Sequence, residues 1–138
     1  MKARDAERLL VLMLRLGGSL MLLAAIAVFM PASWINATHQ ALGFGEFPAT
    51  PLVNYLARSA SGMYAIHGGF LLMVSMDVRA YRALISYVGY SNLVFGLVLL
   101  WIDFNSGMPA YWIWIEGPAV VAIGLGLLRL NSISPDEQ

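Results

Sequence analysis

The sequence contains no cysteine and few charged side chains. Of its 138 residues, only 12% are Asp, Glu, Lys or Arg. Without cysteine, the chain can form no disulfide, no thiolate metal site and no cysteine nucleophile. The eight basic residues are balanced by eight acidic ones and form no basic patch. Nucleic acid is therefore not an expected partner.

Several motifs that would carry chemistry are also missing. The chain has no Walker loop, no Gly-x-Gly-x-x-Gly after a strand, no His-Glu-x-x-His and no carboxylate-rich metal motif. Nor is there the run of polar residues that an ion pore through the chain would need. We therefore expect no metal site. His39 and His67 are expected at different depths, which disfavours a haem held by both histidines. The one exception left open is His67 as a single ligand to a haem or chlorin.

Apolar residues are what the chain has in abundance. They make up 59% of the sequence, and the mean hydropathy is +0.72. A soluble domain of this length could not bury so much apolar surface, whereas a bilayer removes that problem. The sequence predicts an all-α integral membrane protein in which residues 1–138 form one transmembrane domain.

Four apolar runs predict a four-helix bundle with spans at about 9–30, 55–76, 83–102 and 109–129, since about 20 helical residues cross the hydrocarbon core. The first run also fits a secretory signal peptide, but it lacks a clean small-x-small cleavage site, so we expect a retained span. Pro31 should end that span, and Pro118 should kink or locally open the fourth near Gly117. Residues 131–138 are predicted to form a polar tail.

The connection 31–54 is apolar for a loop and rich in glycine and proline. We expect it to cover the outer face as a membrane-surface cap. The positive-inside rule places both termini in the cytoplasm. One side of the membrane then receives only Arg58. The other side receives Lys2, Arg4, Arg8, Arg15, Arg79, Arg82 and Arg129.

This topology brings ionisable groups from separate segments to the outer half of the membrane. Such groups are costly in lipid, so they should face one another or a wet cavity. The predicted polar cluster, a candidate ligand-binding site, consists of Arg58, Asp103, Glu116, Asn92, His67, Tyr64, His39 and Glu46. An ion pair between Arg58 and either Glu116 or Asp103 is the structural alternative to a functional site.

Helical spacing assigns some of these residues to faces. Gly89, Asn92, Gly96 and Asp103 share one face of the third span, and Asn92 is expected to form an interhelical hydrogen bond. Ser61, Ala65 and Gly69 form the small-residue face of the second span. His67 points away from that face. It is expected either to act as a ligand or proton relay or to be satisfied by Tyr64 or by a neighbouring helix.

Two short motifs accompany the four-span layout. Span two begins Arg58-Ser59-x-x-x-Met63-Tyr64-Ala65, and span four contains Glu116-Gly117-Pro118. In these features the chain resembles small bacterial membrane proteins of the DoxX-like type. The resemblance implies a bacterial inner (cytoplasmic) membrane location. It also implies a subunit role, because some proteins of that group are associated with quinone-linked oxidoreductases.

Three functions remain open from the sequence. The first is an accessory subunit of a larger membrane complex, possibly linked to electron transfer, with other subunits, a second copy of itself and membrane lipids as partners. The second is a binding protein or carrier for a hydrophobic ligand such as a lipid or quinone. The third is a membrane enzyme in which carboxylates act as acid–base groups on an apolar substrate. We favour the first and assign no catalytic residue.

Overall fold

A computed structural model describes residues 2–133, and within that range the fold is entirely helical, without strands. The prediction of an all-α protein is confirmed. The helices are α1 (Ala3–Leu22), α2 (Ala24–Phe29), α3 (Ala32–Ala41), α4 (Pro51–Val74), α5 (Arg82–Ser106) and α6 (Ala110–Ile133).

Three stretches of these residues are long and apolar enough to cross a membrane: Ala3–Phe29, which joins α1 and α2, and the helices α5 and α6. This finding indicates an integral membrane protein. The remaining long helix, α4, has 24 residues, which would extend about 36 Å. It does not reach the same apolar level, because Arg58, His67 and several small residues lower its hydropathy.

The connection after the first span is more ordered than predicted. α3 occupies Ala32–Ala41 and α4 begins at Pro51, so within the connection 31–54 only Pro31 and residues 42–50 lack helical structure. The prediction that Pro31 ends the first span is confirmed, since α2 stops at Phe29. A residue that precedes proline is disfavoured in the helical region, and Met30 is accordingly extended, with ψ 135°.

The predicted end of the third span, at about residue 102, is too early. α5 continues to Ser106 and ends at Gly107, which adopts a left-handed conformation with φ 66°. The backbone N–H groups of Gly107 and Met108 both donate to the carbonyl oxygen of Asp103. Glycine suits this helix-ending geometry because it has no Cβ.

The predicted end of the fourth span, at about residue 129, is also too early. α6 runs to Ile133, so Asn131 is helical and does not belong to a tail. Residues 134–138 of the predicted tail lie outside the described residues. α6 is assigned as one helix through Pro118, and no local opening interrupts it there. Since proline has no N–H, the carbonyl of Trp114 lacks its usual helical donor.

Contacts divide the chain into two compact units. Unit one comprises the described residues of Met1–Leu14 and Val74–Gln138, and unit two comprises Arg15–Met73.

In unit one, α5 packs against α6 through two glycine pairs, Gly89 with Gly124 and Gly96 with Gly117. A Cβ added to Gly124 would lie 2.7 Å from the carbonyl oxygen of Gly89, so the two backbones touch without side chains between them. The pairs are seven residues apart on each helix. A seven-residue repeat is the spacing of left-handed, shallow-angle helix packing. Gly89 and Gly96 lie on one face of α5, as their helical spacing predicted, and that face contacts α6.

The same seven-residue register extends to both ends of the helix pair. At one end Asn131 of α6 meets Arg82 of α5: the Asn131 Nδ2 donates to the Arg82 carbonyl oxygen at 2.9 Å, and an Arg82 Nη donates to the Asn131 carbonyl oxygen at 2.7 Å. At the other end, the register places Ala110 opposite Asp103. Elsewhere in unit one, Arg79 forms an ion pair with Glu7 at 2.8 Å.

In unit two, α1 and α4 meet at Gly18 and Gly68. A Cβ on Gly68 would lie 2.5 Å from the carbonyl oxygen of Gly18, and one on Gly18 would lie 2.8 Å from that of Gly68. The predicted small-residue face contained Gly69, but the glycine in the contact is the preceding residue, Gly68. Ala65 is buried as expected, but a Cβ on Gly69 would meet nothing within 4 Å.

Candidate functional sites

The predicted polar cluster draws on both units. Asn92, Asp103 and Glu116 belong to unit one, and Arg58, His67, Tyr64, His39 and Glu46 belong to unit two. The cluster itself stays a prediction.

Arg58 binds the end of a neighbouring helix. Its guanidinium donates one hydrogen bond to the carbonyl oxygen of Val28 and another, of 2.9 Å, to that of Met30. These carbonyls lie at the C-terminus of α2, where helical carbonyls have no donor of their own. A cation there also complements the negative end of the helix dipole. Arg58 is therefore a side-chain cap for α2, a role that the sequence analysis did not foresee.

Asp103 is the most deeply buried acidic side chain among the described residues, with 4% of its surface exposed. Its Oδ2 has no hydrogen-bond partner within residues 2–133. An acidic group without a donor is costly inside a protein or a membrane. Asp103 thus remains a candidate for a functional group.

Glu116 is half-buried on α6 and accepts a hydrogen bond of 2.6 Å from the indole Nε1 of Trp112. The two residues are four apart, which places them on one face of the helix. An indole N–H donating to a carboxylate is a charge-assisted hydrogen bond. It holds Glu116 along the surface of its own helix.

Asn92 lies in the α5–α6 contact, where its Cβ is near Gly124. The interhelical hydrogen bond predicted for Asn92 is not formed with any described residue. Asn131 forms that kind of bond instead, since its amide reaches the hydroxyl of Ser86 at 2.9 Å as well as Arg82. Sequence analysis missed Asn131 because it placed this residue beyond the end of the helix.

His67 has an aromatic neighbour and no hydrogen bond among the described residues. Its ring lies 5.9 Å from that of Phe70, centroid to centroid. The expected bond to Tyr64 is not formed, and the Tyr64 ring is exposed. No group of three or more potential metal ligands exists within residues 2–133.

His39 is held more firmly than His67. It lies in the last turn of α3, and its Nδ1 is 3.1 Å from the carbonyl oxygen of Gly45. Its ring also contacts Phe44 and Phe47, with centroids 5.2 and 5.6 Å away. The nearby Glu46 is exposed and makes no hydrogen bond or ion pair with another described residue. His39 therefore forms part of a small folded structure and not of a free loop.

The chain turns back over α3 because of two glycines. Gly43 and Gly45 have φ values of 80° and 81°, which other residues rarely adopt. The backbone N–H of Phe47 then donates to the Asn36 Oδ1 at 2.8 Å. This bond fixes the returning segment against α3.

A cavity of about 210 Å³ lies beside this structure in unit two. Its polar lining residues are Thr38 and His39. Its apolar lining residues are Ala27, Met30, Ile35, Leu42 and Phe44. The prediction of a membrane-surface cap within 31–54 did not anticipate a cavity there.

A second concave surface, of about 390 Å³, follows one side of α5 in unit one and is lined by Tyr87, Tyr90, Ser91, Val94, Phe95 and Val98. We call it the α5 tyrosine face. Tyr87 and Tyr90 are 68% and 63% exposed. The hydroxyls of Tyr87, Tyr90 and Ser91 form no hydrogen bond with any described residue. The face therefore combines apolar surface with unused hydrogen-bonding groups.

No protein-family model, no curated protein and no solved structure matches this chain. The resemblance to DoxX-like proteins stays a prediction, carried by the residues named for it.

Proposed function

We propose that the protein is a four-span accessory subunit of a larger complex in a bacterial inner membrane, with both termini in the cytoplasm. The observation that carries the proposal is the α5 tyrosine face. In this topology α4 is the second span, although it is less apolar than the other three. Its small-residue contact with α1 at Gly68 and Gly18 supports that placement, because such contacts are typical of packed membrane helices.

The depth of the α5 tyrosine face favours a protein partner over lipid. Tyr90 and Ser91 follow Arg82 by eight and nine residues, which places them about 12 Å or more along the helix. Lipid tails offer no hydrogen-bond partners at that depth. A helix of another subunit would supply both polar groups and a complementary apolar surface.

Photo-crosslinking tests the proposal in native membranes. A benzophenone amino acid replaces Tyr90 on the face, and the control replaces Ile123 of α6, which is 46% exposed and lies opposite Tyr90 in the α5–α6 register. We expect Tyr90 to yield one discrete protein adduct that Ile123 does not yield. The same protein should co-purify stoichiometrically in mild detergent.

The hydroxyl groups provide the second part of the test. Replacing Tyr87 and Tyr90 by Phe and Ser91 by Ala removes three hydroxyls and almost no apolar surface, so co-purification should weaken. An adduct with twice the mass of the 15.1 kDa chain would show that the partner is a second copy of this chain and not a different subunit. Lipid adducts alone at position 90 would refute the subunit role.

The second candidate function is binding of a hydrophobic ligand. The cavity beside His39 favours it, because an apolar cavity with a few polar groups is the usual form of a small-molecule site. Its test is the recovery of a bound lipid, quinone or other apolar molecule by extraction and mass spectrometry. A preparation without any stoichiometric small molecule would count against this function.

A further inference from the structure

We propose that the cavity beside His39 binds a small apolar molecule that carries a hydroxyl group, and that the His39 Nε2 accepts the hydrogen bond from that hydroxyl. The proposal rests on the second candidate function, ligand binding, and specifies the chemistry of the ligand.

The hydrogen bond on the other side of the ring determines what Nε2 can do. A carbonyl oxygen only accepts, so the contact between Nδ1 and the Gly45 oxygen requires the proton to be on Nδ1. In the neutral imidazole, Nε2 then carries a lone pair and acts as an acceptor. Within residues 2–133 this nitrogen has no partner. A hydroxyl donor matches it, and an ether or ketone oxygen does not.

The other polar lining group is already engaged. Thr38 donates its hydroxyl to the carbonyl oxygen of Trp34, one turn earlier, at 2.9 Å. The remaining lining side chains are apolar, and none of them carries a positive charge. The cavity thus offers one strong acceptor in apolar surroundings, which disfavours carboxylates and other anions.

The size of the cavity limits the ligand. Its 210 Å³ corresponds to about seven water molecules at about 30 Å³ each. Sites for drug-sized molecules usually exceed about 300 Å³. A single substituted ring or a short branched chain matches this volume.

The site needs little rearrangement before binding. The His39 ring is held by two aromatic contacts and by Gly45, and the bond from Phe47 to Asn36 fixes the segment that carries Phe44. Ordering these groups in advance lowers the entropic cost of binding. The acceptor nitrogen is therefore held in place whether or not a ligand is present.

The chain allows a test with an internal reference, because it contains only two histidines. Histidine-selective 15N labelling in detergent micelles gives separate signals for His39 and His67. The probe is 4-propylphenol, and the matched control is 4-propylanisole, which has nearly the same shape but no donor. We expect a saturable change in the His39 Nε2 signal with the phenol and no change at His67.

Affinity measurements complete the test. We expect the anisole to bind about tenfold more weakly, the effect of one ordinary hydrogen bond. His39→Phe keeps an aromatic ring and should abolish the preference, and Leu42→Trp should block the cavity while leaving His39 in place. If phenol and anisole bind equally and saturably, ligand binding stands and the hydroxyl chemistry is wrong. Shifts that grow linearly at both histidines would show simple partitioning into the micelle. That result would overturn both ligand binding at this cavity and the hydroxyl chemistry.

Discussion

Gly96 of α5 and Gly117 of α6 approach each other so closely that neither position has room for a methyl group. A Cβ on Gly96 would lie 2.8 Å from the carbonyl oxygen of Gly117, and a Cβ on Gly117 would lie 2.8 Å from the carbonyl oxygen of Gly96. Side-chain atoms of Val121 and Leu100 would lie closer still, at 2.6 Å, but the backbone oxygens are the obstacles that cannot rotate away. The α5–α6 packing distance is thus fixed by the absence of side chains at these two positions.

The glycine contact predicts a large effect from a single methyl group. Gly96→Ala should destabilise unit one by about 1–3 kcal/mol, because overpacking forces the helices apart. Gly69→Ala is the matched control: a Cβ there meets nothing, and alanine is a better helix former by about 1 kcal/mol. Unfolding by SDS in mixed micelles, followed by circular dichroism, measures both. Equal stability of the two variants would contradict the close contact.

Arg58 should stabilise the folded protein through its hydrogen bonds to the backbone carbonyls at the end of α2. Arg58→Ala removes two hydrogen bonds from a charged donor, each worth about 1.5–3 kcal/mol, so we expect a loss of about 3 kcal/mol in the free energy of unfolding. Arg58→Lys should restore only part of it, since a lysine cannot reproduce the planar fork. Arg15→Ala is the control, because Arg15 is exposed and has no hydrogen bond to a described residue. A fully stable Arg58→Ala protein would rule out the capping role.

Asn131 should stabilise the α5–α6 pair at the end that contains Arg82, which is the end away from Asp103. Asn131→Ala removes its amide bonds to Arg82 and Ser86, and we expect a cost of about 1–3 kcal/mol. Asn105→Ala provides the comparison, since the Asn105 amide is exposed and bonds only to Trp101 in its own helix. The same SDS titration measures both variants. An equal, small effect would mean that the Asn131 bonds are replaced by water.

The absence of cysteine makes the topology directly measurable. Single cysteines at Lys2, Ala49, Ala80 and Ser106, all exposed, can be treated with a membrane-impermeant maleimide on intact cells. The four-span topology predicts labelling at Ala49 and Ser106, and labelling at Lys2 and Ala80 only after lysis. If positions 49 and 80 label alike, α4 does not cross the membrane.

The sequence predicted an all-α protein and a shared face of α5, but it did not predict α3, which lies within the connection 31–54. Apolar length identified the long helices, and the recurrence of Gly89 and Gly96 with Asp103 identified the buried face of α5. Helix ends were predicted less well, as α5 and α6 continue to Ser106 and Ile133. Hydropathy reports where a bilayer could begin, whereas a helix ends where its hydrogen bonds end.

The site residues were harder to predict because their partners are backbone groups. Arg58 was expected beside a carboxylate, but it binds carbonyls at the end of α2, about thirty residues away in the chain. His39 was expected in the polar cluster of the outer half, and its hydrogen-bond partner is the carbonyl of Gly45. Every residue has a carbonyl, so no pattern of side chains marks the ones that serve as partners.

The division into units has a consequence for biosynthesis. Unit two is continuous in the chain, whereas unit one joins the described residues up to Leu14 to those from Val74 to Ile133. Because synthesis proceeds from the N-terminus, Glu7 leaves the ribosome long before its ion-pair partner Arg79 exists. The α1–α4 contact at Gly18 and Gly68 can form while α5 and α6 are still being made. Glu7 is thus made before all of unit two, yet it can reach its final partner only after unit two is complete.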